Sequence, residues 1–511
     1  MAIAATRLDE DAPDWARFTL YAIGAALVLR WGILALELAP LHFDEAQYWS
    51  YGEALDLGYY SKPPLAAWLI RLSTEAFGDT VFGVRFFAPV AHAWIAWLLF
   101  ATGRRLFDAR AGFWASILYL TLPGVTVSSG LMTTDPPMMV GWAGALYALV
   151  RALQAEEARA IGDPHGENRD EPLFWWALVG AAVGAGLLAK YTAIAFVGGG
   201  IGYALFSRQG SAGARWPIDW RGPGLAILGA LLVFSPNLYW NAANDFAAFA
   251  HVGDNAKLGG GAALRPDNAI EFVGAQAMIF GPVALVALGA MLAVGGWRGE
   301  WSYRLLLWLT LPLILAMTLQ AFLSRAHPNW AAPAYVAGSL AVAAWLLDRE
   351  RVRVLQAAVG SSLAIGLGFY ALAGVYAAGH ADLPRTPDPF KKMRPNPPIC
   401  AEALSLRGDL KLLSNDRRLL ADCMFAGGLP LERIAIWNSD GPAGNHYELT
   451  SSLEDGDAGA YLLLVLRPVD RADGYLRRFA EVEVLKTGAM RTHADRSTPY
   501  TIARVSGFQG Y

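Results

Sequence analysis

LFWWALVGAAVGAGLLAKYTAIAFVGGGIGYALF, residues 173 to 206, carries a single charge, Lys190, near its middle. As one helix this run would be about 51 Å long, whereas a hydrocarbon core needs roughly 30 Å; as two helices turning at Lys190 and Tyr191, each half approaches one crossing. The turn decides the direction of every later segment. The 511-residue chain is 55% hydrophobic and 17% charged, too apolar for a soluble enzyme of this size, so the surplus faces lipid. Apolar runs near 16–39, 82–103, 111–128, 136–152, 173–189, 191–207, 223–240, 269–296, 304–323, 329–347 and 354–378 give about eleven spans. The expected fold class is a polytopic α-helical membrane protein, with its membrane domain over residues 1–379.

Short cytoplasmic loops retain an excess of Lys and Arg, which tests the count. One alternate set of connections holds Arg104, Arg105, Arg110, Arg151, Arg159, Arg169, Arg208, Arg215, Arg221, Arg298, Arg304, Arg349, Arg351 and Arg353. The opposite set holds only Lys62, Arg71, Lys190, Lys257, Arg265 and Arg325, and Arg7 and Arg17 join the richer side. The amino terminus is therefore expected in the cytoplasm, and the loops near 40–81, 129–135, 241–268 and 324–328 outside, with everything after 379. No small-residue cleavage site follows the first apolar run, which reads as a retained span. A formal net charge of -3 gives no basic field, so the bilayer is an expected partner and nucleic acid is not.

After residue 379 a Pro-rich linker, Leu383 to Pro398, leads into an ordinary soluble pattern. Short strand-like runs at 410–414, 433–437, 461–466, 482–485 and 500–505 alternate with helical stretches near 399–407, 417–426 and 470–479, giving a small extracytoplasmic α/β domain over 380–511. Cys400 and Cys423, the only cysteines, lie in this part. In an oxidising compartment they form a disulfide or remain two buried thiols, and spacing does not choose between these.

The chemistry concentrates in the first outer loop, LHFDEAQYWSYGEALDLGYYSKPPLAAWLIRLSTEAFGD, residues 41 to 79. Its ends read as amphipathic juxtamembrane helices with Tyr48, Trp49, Tyr51 and Trp68 at headgroup level. Asp44, with Glu45 beside it, is placed to act as a general base; the Asp-x-x-Gln spacing to Gln47 equally lets Asp44 cap a helix beginning at Glu45. Lys62, fixed by Pro63 and Pro64, suits a phosphate or else snorkels to headgroups, and Tyr59 and Tyr60 just before it are substrate-binding candidates with it. Asp135, before Pro136 and Pro137, is a second acid and also a good helix cap. Two further outer segments add His251, Arg325 and His327 as substrate-binding candidates. His42, Asp44, Glu45 and His251 could together assemble a divalent-metal site, but no metal-ligand spacing fixes one, so no cofactor is firmly expected. There is no Walker-type phosphate loop.

DEAQYWSYGEALDLGYYSKPPL, then TTDPPMM, NAANDFAAFAHVGDN and HPNWAAPAY, together resemble the bacterial branch of the GT-C membrane glycosyltransferases, related to lipid A aminoarabinose transferase and the protein O-mannosyltransferases. The resemblance spans roughly residues 16 to 350. It implies Asp44 as catalytic base or acceptor-orienting group with Glu45 beside it, Lys62 as the contact to the carrier phosphate, and Asp135 as the second acidic position. Where the aminoarabinose transferases carry a glutamate just before that lysine, this chain has Ser61, which weakens any carry-over of aminoarabinose specificity. The implied donor is a sugar on undecaprenyl phosphate, used on the periplasmic face of a bacterial inner membrane with inversion. Lipid A or another envelope glycolipid is the first acceptor expected, a polysaccharide or protein hydroxyl the next. A transporter or flippase of lipid-linked sugars is the competing class, but it would place its charges near the bilayer midplane on broken, repeated helices. A non-catalytic scaffold would leave the acids unexplained.

Overall fold

The computed structural model describes residues 13–160, 171–206, 219–256, 264–298 and 300–379, and within 383–511 all but 387, 389, 392, 394, 395 and 440. Arg7, Arg169, Arg208, Arg215 and Lys257 of the charge argument lie outside the described residues. Helix α1 (Trp15–Ala35) leads to α2 (Phe43–Glu53) and α3 (Leu65–Phe77) in the first loop. Then follow α4 (Val81–Arg85), α5 (Phe87–Leu106), α6 (Ala109–Thr121), α7 (Pro123–Ser128), α8 (Asp135–Ala160), α9 (Pro172–Ala189), α10 (Ala195–Phe206), α11 (Arg221–Ala243) and α12 (Ala247–Ala256). The remainder of the bundle is α13 (Pro266–Phe280), α14 (Pro282–Ala293), α15 (Trp301–Trp308), α16 (Leu311–Leu323), α17 (Ala334–Asp348) and α18 (Val352–Ala377). Among the described residues seven helical segments are long and apolar enough to cross a membrane, and eight if α13 and α14 count as one.

The expected spans depart from the observed helices where local chemistry breaks them. The run at 111–128 divides at Pro123, which cannot continue α6, and the buried Arg30 of α1 donates Nη2 to the Leu120 carbonyl at 2.6 Å, filling an acceptor in the last turn of α6. The run at 269–296 bends by 111° at Gly281-Pro282. Gly281 has φ 82°, and a Cβ there would lie 2.3 Å from the Ser362 hydroxyl, so only glycine makes this turn. The run at 329–347 yields only the 15-residue α17, about 22 Å long. Every residue from Ala334 to Leu346 is buried, as expected of a helix apolar all round that lies inside the bundle against α5, α6 and α14. At Lys190 the backbone is extended (φ -159°, ψ 130°) between α9 and a 3₁₀ turn at Tyr191–Ile194, so the long opening run is indeed interrupted there.

The carboxy-terminal part builds a five-stranded sheet from α19 (Pro397–Arg407), β1 (Lys411–Ser414), α20 (Arg417–Gly427), β2 (Ile434–Ile436), α21 (His446–Thr450), β3 (Ala460–Val465), α22 (Val469–Leu476), β4 (Phe479–His493) and β5 (Arg496–Phe508). The strand order is β2-β1-β3-β5-β4, the first three parallel and β5 antiparallel to both neighbours. Alternate residues feed opposite faces: Leu412, Leu462, Leu464 and Ile502 one core, Leu413, Leu463, Ala503 and Val505 the other. The 482–485 run is the middle of a much longer β4, because most of that strand is exposed and has no apolar alternation to read. Cys400 and Cys423 form a disulfide with Cα atoms 4.9 Å apart, tying α19 to α20 and excluding two free thiols. Replacing both by serine should cost roughly 3 kcal/mol for this loop length. The thermal midpoint of the purified full-length chain checks this; an unchanged midpoint would show that the bond carries no stability.

The sheet domain sits on the first loop. One apolar cluster runs from Trp49, Tyr51 and Ile70 in the loop helices to Leu420, Met424 and Ile436 in the sheet domain. Trp49 meets Phe425 edge to face at 5.2 Å, and the Ser50 and Tyr447 hydroxyls are 2.6 Å apart. Tyr48, Trp49 and Tyr51, expected at the headgroups, are instead buried. The aromatic signal was an interface between two parts of the chain rather than with lipid.

Candidate active site

Helix α2 begins at Phe43, two residues earlier than the capping argument assumed. His42 is its cap: Nδ1 accepts from the Asp44 amide at 3.1 Å, while the Glu45 carboxylate reaches back to the His42 amide at 2.8 Å. Asp44 therefore does not cap the helix. Its carboxylate lies in the first turn, 3.6 Å from His42 Nδ1, and accepts no hydrogen bond among the described residues. Glu45 is the opposite case, wholly buried and fully used: it accepts from Arg85 Nε at 2.9 Å and Nη2 at 2.7 Å, and from the Met132 amide at 2.9 Å. The loop preceding Asp135 is thereby fastened to the start of α2.

Lys62 sits at the end of a tight turn closed by Tyr59 N to Lys62 O (3.0 Å) and Lys62 N to Tyr59 O (3.2 Å), before the two prolines. Tyr59 is completely buried, stacked on Tyr51 at 4.3 Å with its hydroxyl on the Tyr51 carbonyl. It is thus a support of the turn and not an exposed contact. His446 of α21 packs edge-on to both rings, and burial pushes it down to about 4, so it is neutral at pH 7. Behind the turn, Asn237 donates to the Leu57 carbonyl at 3.0 Å and Trp240 to Asp56 at 2.6 Å; a Cβ on Gly58 would strike both side chains. The Lys62 ammonium makes no hydrogen bond or ion pair among the described residues. Burial pushes its pKa below the usual lysine value, Lys190 adds to this, Asp44 and Asp135 oppose it, and Arg417 lowers it again. Lys190, Asp44, Asp135 and Arg417 thus all lie near enough to Lys62 to act on its charge.

Asp135 is the first residue of α8, and its carboxylate is not spent on capping. It pairs with Lys190 Nζ at 2.6 Å and accepts from Asn329 Nδ2 at 2.8 Å. Tyr60 and His251 meet edge to face at 5.6 Å, so those two sequence-chosen residues are neighbours. Arg325 and His327 are exposed, and His327 packs on Trp330. Two cavities of about 360 and 370 Å³ share Val127 and Leu131 in their walls; one reaches Asp135 and Asn329, the other His42 and Arg85. Among the described residues no group of three or more His, Cys, Asp or Glu is set to hold a metal ion.

Sequence reasoning missed Lys190, Asn329, Arg85 and Arg417 as members of the site. Lys190 had a signal: a lone ammonium in an apolar run is a functional position by default. Arg417 had none, because it arrives from the sheet domain, donating Nη1 to Gln47 Oε1 at 3.1 Å across 370 residues of chain.

The family model of the dolichyl-phosphate-mannose-protein mannosyltransferases matches residues 61–240. A lipid A galacturonosyltransferase of Rhizobium johnstonii, RgtD, is 35% identical over 325 residues, 62% of this chain and 63% of that protein. An undecaprenyl phosphate-α-4-amino-4-deoxy-L-arabinose arabinosyl transferase of Pseudomonas aeruginosa is 32% identical over 193 residues, 37% of this chain and 32% of that one. The matches thus span less than two thirds of either relative. In fold, the ArnT structure from Cupriavidus metallidurans bound to undecaprenyl phosphate aligns over 95% of this chain and 97% of its own, with a TM-score of 0.66 at 15% identity. The resemblance to the GT-C membrane glycosyltransferases is thus met in sequence over part of the chain and in fold over nearly all of it.

Proposed function

We propose that this chain is a glycosyltransferase that moves a sugar from undecaprenyl phosphate to an envelope glycolipid, lipid A first, at the periplasmic face of a bacterial inner membrane. The observation that carries the reading is a pair of groups that feel each other's charge and have no hydrogen-bond partner among the described residues, the Asp44 carboxylate and the Lys62 ammonium, near an Asp135–Lys190 pair that is already satisfied. The named activities of RgtD and of the arabinosyl transferase, both of which act on or from such lipids, support the choice of substrates. Asp44 takes the proton of the acceptor hydroxyl as that oxygen attacks the anomeric carbon. The bond from that carbon to the phosphate oxygen breaks on the opposite side, so the configuration inverts.

The leaving phosphate gains a full charge as a diester becomes a monoester, and Lys62 stabilises that gain more than it stabilises the bound donor. Asp135, held by Lys190 and Asn329, orients the acceptor. Tyr60, His251, Arg325 and His327 remain proposed substrate contacts on the outer rim, with no metal ion required by the roles assigned. The charge asymmetry supports a cytoplasmic amino terminus, a membrane domain over 1–379 and a periplasmic domain over 380–511. Counting the bent α13–α14 pair, the α6–α7 pair and the short apolar helices with the long ones restores the eleven crossings as the proposed topology.

Purified protein given an undecaprenyl-phosphate sugar and lipid A tests the reaction, and absence of product with every such donor would reject it. In the same assay Lys62→Ala should weaken donor use by roughly ten- to a hundredfold, with a smaller effect on acceptor KM, as one charge-assisted contact is removed. Unchanged donor dependence would refute the role of Lys62.

A further inference from the structure

Arg417 is the first residue of α20, yet the end of that helix does not need its side chain, because Asp416 accepts from the Arg418 and Leu419 amides. The guanidinium instead crosses to α2. Its single bond among the described residues is to Gln47 Oε1, a neutral acceptor placed one helical turn beyond Asp44 on the same face. Three other cations around the first loop have carboxylates: Arg85 has Glu45, Arg71 has Glu53 and Glu75, and Lys190 has Asp135. Lys62 has none and is already assigned to the carrier phosphate. Arg417 is thus half-buried against α2, one turn from Asp44, with most of its donor fork unfilled. Its position is well fixed: the neighbouring Arg418 lies 4.5 Å above the Phe43 ring, and the disulfide holds the same helix at Cys423.

We infer that Arg417 binds an oxyanion of the substrate other than the carrier phosphate, a carboxylate on the transferred sugar or a phosphate on the acceptor. The sheet domain then takes part in substrate choice. The inference rests on the transferase reading above. A planar fork beside Asp44 matches carboxylate and phosphate geometry, and a ligand anion supplies the counter-charge that the protein withholds. Arg417 also lies near enough to Lys62 to act on its charge, which puts the fork within the neighbourhood of the carrier phosphate proposed above.

The test uses full-length protein in lipid nanodiscs. The donors are an undecaprenyl-phosphate hexose and the matching hexuronic acid; the acceptors are lipid A with and without its phosphates. Wild type should prefer the anionic member of one pair, and Arg417→Ala should lose that preference by about ten- to a hundredfold, mainly in KM. Arg417→Lys should restore only part of it, since an ammonium cannot reproduce the fork. Collapse within the donor pair identifies a sugar carboxylate, and collapse within the acceptor pair identifies an acceptor phosphate. Unchanged discrimination in both pairs, or an equal fall in kcat for all four combinations, would overturn the inference while leaving the transferase reading intact. A wild type inactive with these two and with every other undecaprenyl-phosphate sugar would remove that reading and this inference together.

Discussion

Asp44→Asn lowers transfer by about 10²- to 10⁴-fold, while the protein stays folded, inserted and able to bind its lipid donor. The structure makes this substitution cleaner than the sequence promised. Had Asp44 capped α2, a change there would have mixed catalysis with helix stability, but the cap is His42, closed by Glu45, and neither is touched. Asparagine keeps the volume of Asp44 and loses its charge and with it the ability to take a proton. His42 Nδ1, 3.6 Å from the carboxylate, is already engaged by the Asp44 amide, and Lys62, which loses one favourable charge, keeps that of Asp135. Product formation from an undecaprenyl-phosphate sugar, normalised to folded protein, is the readout, with donor binding measured separately. Near-wild-type turnover would reject Asp44 as the base. Asp135→Asn is a useful contrast, because it strips a carboxylate from Lys190 and leaves that ammonium half-buried without its counter-charge.

The sequence marks the positions that chemistry must expose and is nearly silent on those that hold them. Asp44, Lys62 and Asp135 stand beside prolines or aromatic clusters in short polar interruptions of a lipid-facing pattern, where a charge needs a reason. Their supports are remote in the chain: Glu45 meets Arg85 across 40 residues, and Gln47 meets Arg417 across 370. No local periodicity encodes such pairs. The breaks at Pro123 and Gly281 were present in the letters, but hydropathy over a span-length window averages a turn away. The aromatic first loop misled for a related reason. Tyr48, Trp49 and Tyr51 satisfy equally well the composition of a membrane interface and that of a domain interface, and only the docked sheet domain distinguishes them.

Glu45 gives the second large effect, and it separates a base from a scaffold. Glu45→Gln keeps the shape and one acceptor for the His42 amide, so the capping box survives in part. It removes the charge facing Arg85, whose side chain is only 5% exposed. An unpaired buried guanidinium costs about 3–5 kcal/mol, far more than the intact pair adds to stability. A lower thermal midpoint and less protein in the membrane are therefore expected. Arg85→Met combined with Glu45→Gln should recover part of the loss by removing the stranded charge. Recovery stays incomplete, because Arg85 also serves the Ala39 and Pro40 carbonyls at 3.0 and 2.9 Å, and the Met132 amide still lacks its charged acceptor. The surviving folded protein should transfer sugar more slowly than wild type but well above Asp44→Asn, since Glu45 ties α2 to the loop before Asp135 and so sets the spacing of the two acids. The opposite pattern, wild-type stability with a loss of 10²-fold or more in turnover, would make Glu45 the base and displace Asp44 from that role.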